Sequence, residues 1–124
     1  MKKFSKKVIA GVLSAVLIAS ASVSVFAARE ITIGYAGSVR VTCELGTSGS
    51  SVYASVSASD CVDATMVGEA LFSNGSKKTI NAGFSNSTYG DTSVKESGMS
   101  PLVAGCKFTI SSEDGEYYHY NYIN

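Results

Sequence analysis

The sequence has no tryptophan, one proline and one histidine, and its ten basic side chains cancel its ten acidic ones. Each shortage excludes something. A lone imidazole, His119, with no C-x-x-C pair in the chain, leaves the usual zinc-ligand spacing unmet, and no metal or other cofactor is expected. Internal repeats are absent, and no low-complexity tract appears beyond mild Ser/Thr enrichment, so a solenoid is not expected. Beyond residue 28 no window of a dozen residues carries a 3.6 period. Val62, Ala64, Met66, Ala70 and Phe72 come nearest and fit a period of two better, so helix is not expected.

What is present begins with an export signal. Four lysines (Lys2, Lys3, Lys6, Lys7) precede an apolar run from Val8 to Ile18, and small residues lead to Val25-Phe26-Ala27. Small side chains at the −3 and −1 positions suit a signal peptidase, which places cleavage after Ala27. The apolar run is shorter than the roughly 20 residues that cross a bilayer, so no membrane span is expected after signal removal. Residues 28–124 then form a mature chain of 97 residues, with six basic side chains against ten acidic, a net charge of −4. That sign argues against nucleic acid or an anionic membrane as a partner held by bulk electrostatics. The length is that of one domain, too short for a multi-domain enzyme. No cysteine at the cleavage point can take a lipid, so the expectation is a secreted product of bacterial style.

The mature chain is a series of short alternating segments rich in Val, Ile, Thr, Tyr and Phe, separated by Gly, Ser and Asn. The pattern predicts strands at 29–35, 38–46, 50–58, 62–73, 77–85, 102–111 and 117–123. Asn74-Gly75 and Asp114-Gly115 supply the positive φ of tight hairpins. The one long connection, 86–101, is either functional or mobile, with a short edge strand possible at Thr92 to Lys95. Seven strands in a chain this size predict an all-β fold, a small antiparallel two-sheet β-sandwich.

Three cysteines in an exported chain allow one bridge and one leftover thiol. Alternation turns Val39, Val41, Cys43 and Leu45 to one face of a strand, and Cys106, Phe108 and Ile110 to one face of another, whereas Cys61 opens a strand beside Asp60. A Cys43–Cys106 disulfide joining two inward faces is therefore favoured, with the other two pairings left open. An immunoglobulin-like sandwich would place such a bridge between its sheets. It would also need a tryptophan, and a tyrosine where Ala104 stands, so that family is not supported.

From Gly75-Ser76-Lys77 to Tyr117-Tyr118-His119-Tyr120 the chain resembles the lactococcin 972 group of secreted bacteriocins, small exported β-sandwich proteins ending in an aromatic strand. The resemblance spans about 50 residues and rests on strand order, the Gly-Ser-Lys turn and the paired tyrosine. This chain departs by its greater length and its three cysteines. The resemblance implies an antimicrobial protein acting on cell-wall precursor at a competitor's surface.

Catalysis would need a base beside a nucleophile. Cys61 or Cys106 with His119 and one of Asp60, Asp63 or Asp114 can be drawn as a triad, but no nucleophile elbow surrounds any cysteine, and a non-enzymatic protein is expected. Asp60 and Asp63 fall on opposite faces and make no glycosidase pair. Glu113, Asp114 and Glu116 crowd one turn without the ordered ligand spacing of a calcium loop, so a solvated hairpin tip is the expectation. The C-terminal strand is the most informative segment. Four of seven tyrosines lie within six residues, with Tyr118, Tyr120 and Tyr122 on one side and Tyr117, His119, Asn121 and Ile123 on the other. A row of flat rings with polar tips stacks on sugars or anchors a protein. Together these features predict a binding module at the cell surface or wall, with cell-wall glycan or an extracellular protein as partner. Alternatives are a bacteriocin-like protein and a secreted matrix subunit pairing through edge strands.

Overall fold

The structure, a computed structural model, describes residues 28–124; the expected export signal lies outside the described residues. Six strands occupy 80 % of the described residues, and none of the elements is a helix. They are β1 (Arg29–Ala36), β2 (Val39–Ser48), β3 (Ser51–Phe72), β4 (Lys77–Lys95), β5 (Pro101–Ser111) and β6 (Glu116–Ile123). All belong to one antiparallel sheet in the order β1-β2-β3-β5-β6, with β4 on β3. The expected all-β class holds, whereas seven strands in two separate sheets are not what the chain forms.

The difference lies in β3 and β4. The segments expected at 50–58 and 62–73 are one 22-residue strand whose pairing with β4 slips between Ser57 and Val62. A bulge leaves residues unpaired and bends the strand without ending it. Opposite this bulge β4 continues through the expected 86–101 connection as far as Lys95, leaving only a turn before Pro101. Asn86, at φ 50°, marks the irregularity on β4's side.

β4 lines one edge of β3 along both halves, so β2 and β5 must share the other edge. β2 pairs with Ser51–Ala58, and β5 with Asp63–Phe72. Bent at the bulge, the sheet folds over until β1 meets β6 and is nearly closed as a barrel. No ladder joins this last pair; side chains do. Thr32 Oγ1 donates to Asn121 Oδ1 at 3.1 Å, Asn121 Nδ2 to the Glu30 carbonyl at 3.4 Å, and the Tyr122 N–H to Glu30 Oε1 at 2.7 Å. Asn121 is fully buried, so these bonds meet an amide that would otherwise be costly inside.

The enclosed core contains the predicted inward faces, Val39 to Leu45 on β2 and Cys106 to Ile110 on β5, against Val56, Met66 and Phe72 of β3. The Asn74-Gly75 hairpin forms as expected, with Gly75 at φ 85° and Asn74 Oδ1 accepting the Ser76 N–H at 3.0 Å. The expected Cys43–Cys106 disulfide is not formed. Both side chains face the core as alternation requires, yet all three cysteines remain free, because sharing a core does not bring two sulfurs to bonding distance. Burial pushes each of the two inner thiols up to about 12, and the nearby Cys43 adds to the rise at Cys106.

Candidate functional site

Strand β6 turns Tyr118, Tyr120 and Tyr122 outward, as its period requires. Their cross-strand partners on β5 are Thr109, Lys107 and Gly105. Lys107 Nζ lies over the Tyr118 ring, 5.8 Å from its centroid, and the Tyr118 hydroxyl donates to Glu116. Held from two sides, this ring loses little freedom on meeting a ligand. That hydrogen bond to a carboxylate raises the Tyr118 pKa, whereas burial is the leading cause at Tyr120. Gly105, itself buried, adds no side chain at its place in the row beside Tyr122.

Across the seam, β1 supplies residues that sequence reasoning missed. Its outward face carries Ile31, Ile33 and Tyr35, and its inward face Glu30, Thr32 and Gly34. This inverts the usual arrangement. Alternation alone reads the same with either face inward, and the default puts the apolar face in the core. Only the partners on β6, with Asn121 needing polar company and Tyr117 needing space, reverse it. Gly34 meets the second need, since a Cβ there would run into the Tyr117 ring.

Seven large apolar side chains are exposed among the described residues, and six are on β1 and β6, each 38–59 % exposed. The polar fringe lies on the neighbouring strand. Glu44, the cross-strand partner of Ile31, accepts from the Tyr53 hydroxyl at 2.7 Å and pairs with Arg29 at 3.7 Å. The seam thus presents flat apolar surface bordered by oriented donors and acceptors.

The other sequence candidates are dispersed. His119 stacks on Tyr117, ring centroids 6.2 Å apart, and is hydrogen-bonded to no cysteine or carboxylate among the described residues. Cys106 is buried, and Cys61 sits half-buried at the bulge, its N–H held by Asp60 Oδ1 at 2.7 Å. Asp63 accepts the Asn86 N–H at 2.8 Å. Asp114 is a brace between turns: it accepts the Ser38 N–H at 3.2 Å and is bonded to Ser112 Oγ at 2.8 Å. Those bonds, Ser38 first, hold its carboxyl below the usual range. Around this brace lies an open cleft of about 580 Å³, lined by Asp60, Cys61, Asn86 and Glu113 among others. No group of three His, Cys, Asp or Glu side chains among the described residues is placed to hold a metal ion.

Compared with family models, curated proteins and solved structures, the chain finds no match in any of the three. The geometry of the β1–β6 surface has to carry the functional reading.

Proposed function

We propose that this protein is a secreted, non-enzymatic binding module whose β1–β6 surface takes up cell-wall glycan. The observation that supports it is the concentration of exposed large apolar side chains on two adjoining strands, where six of the seven among the described residues occur. Contiguous apolar surface of this kind, rimmed by polar groups, marks interaction sites in soluble proteins. Tyr118, Tyr120 and Tyr122 offer ring faces to sugar rings, while Lys107, Glu116 and Glu44 meet hydroxyl groups. A mature charge of −4 favours an uncharged polymer over an anionic one.

The test is retention of the mature protein on insoluble cell-wall glycan, wild type against Tyr120→Ala/Tyr122→Ala. Two lost ring contacts should weaken binding roughly tenfold or more with the fold intact. Unchanged retention overturns the reading. Killing of neighbouring strains by the purified protein, undiminished in the same variant, would favour the bacteriocin-like alternative instead.

A further inference from the structure

β4 is 19 residues long and pairs, among the described residues, with β3 alone. Its other edge has no neighbouring strand among the described residues, and between Lys78 and Lys95 it carries one charge, Asp91. An unprotected edge of this length is a template for another strand, because its N–H and C=O groups lack ladder partners. At Tyr89 both main-chain groups are met by a side chain: Ser87 Oγ donates to the Tyr89 carbonyl at 3.1 Å and accepts its N–H at 3.4 Å. Such a local substitute marks groups that face the open edge. By period two, Ser87, Asp91 and Ser93 face it as well.

The sequence of this edge is its own complement. Ser87-Thr88-Tyr89-Gly90-Asp91-Thr92-Ser93 reads the same in both directions apart from the Tyr/Asp exchange about Gly90. We infer that the free edge of β4 pairs antiparallel with the same edge of a second copy of this chain, centred on Gly90. Ser87 then lies opposite Ser93, Thr88 opposite Thr92, and Tyr89 opposite Asp91, each twice by the two-fold symmetry. Thr–Thr and Ser–Ser pairs are favourable across antiparallel strands, and an isologous contact closes on itself as a dimer. Within one chain the Tyr89 hydroxyl already donates to Asp91 Oδ2 at 3.1 Å, so the two groups are chemically suited to face each other across the axis. The near-palindrome selects this register, and charge removes two competitors: a pairing centred on Asn86 would set Lys77 against Lys95, and one centred on Asp91 would set that carboxylate against its own copy, whereas the one centred on Gly90 opposes no like charges. The two-fold axis stands perpendicular to the sheet, so the outward faces of both copies point the same way.

The experiment is sedimentation velocity on the chain expressed in an exporting bacterial host, over a concentration series up to millimolar. It compares wild type with Tyr89→Glu and with Tyr89→Glu/Asp91→Lys. Both positions are exposed, so the fold should be unaffected, which circular dichroism checks. Tyr89→Glu sets like charges opposite each other twice and should raise the dimer dissociation constant at least tenfold. The double variant replaces them with two Glu–Lys pairs and should restore dimers. A wild type that is monomeric throughout, a dimer indifferent to Tyr89→Glu, or a double variant no better than the single one would each overturn the inference. No ligand is involved, so the outcome is independent of the glycan reading.

Discussion

Gly34→Ala tests the closure of the sheet by a change of sign. In an ordinary strand, replacing glycine with alanine stabilises by about 0.5–1 kcal/mol, since glycine loses more freedom on folding. Here the added methyl meets the Tyr117 ring of β6. Overpacking of this kind costs about 1–3 kcal/mol, so the balance is a net loss near 1–2 kcal/mol. For a domain of this size that corresponds to a fall in melting temperature of roughly 5–15 °C. Tyr117→Ala should reverse the sign, because with the ring gone the alanine at 34 keeps only its favourable term. A thermal double-mutant cycle on the four proteins should therefore give a coupling of about 1–3 kcal/mol between positions 34 and 117. If Gly34→Ala raises the melting temperature in the wild-type background, β1 does not lie against β6 and the combined surface is lost with it.

Three further outcomes follow from the same structure. One thiol per native chain, Cys61, should react rapidly with a disulfide reagent at pH 8. Cys43 and Cys106, with pKa near 12 against an ordinary 9.0, hold about a thousandfold less thiolate and should react only on unfolding. These two thiols also carry a pH signature. Their folded pKa is raised, so their contribution is complete below pH 9 and is lost as pH climbs toward 12; Cys43→Ala should flatten that alkaline decline in denaturant titrations. Asp114 behaves oppositely. Its lowered carboxyl stabilises above the unfolded pKa of 3.8 and stops doing so as pH falls below it, so Asp114→Asn should lower the melting temperature at pH 7 and shrink the difference from wild type in strong acid.

Much of the fold was legible because alternation is a local signal. Val39 to Leu45 and Cys106 to Ile110 take the faces their period dictates, and Asn74-Gly75 turns as its chemistry requires. The continuity of β3 and β4 was not legible. Asp60-Cys61 and Asn86-Ser87 read as punctuation, yet the bulge spans four residues of β3 and the ladder resumes beyond it. A strand lying along an edge needs no apolar period, and the serine-rich 87–95 segment shows little. Of the candidate surface, the tyrosine row was readable from spacing in β6, whereas Ile31, Ile33 and Tyr35 were not. Their exposure depends on what β6 requires of β1, a contact between positions 89 residues apart at Thr32 and Asn121.

The central claim is that β1 and β6 make one binding surface, and calorimetric titration with a soluble cell-wall oligosaccharide tests it most directly. The comparison is wild type, Ile33→Ser on β1, Tyr120→Ala on β6, and both together. Each exposed single change should leave stability within about 0.5 kcal/mol, so affinity can be read without a folding correction. The account predicts that each single variant binds the same oligosaccharide more weakly and that the double variant binds it more weakly than either. Wild-type affinity in Ile33→Ser beside a loss in Tyr120→Ala would contradict it, leaving the tyrosine row to act alone.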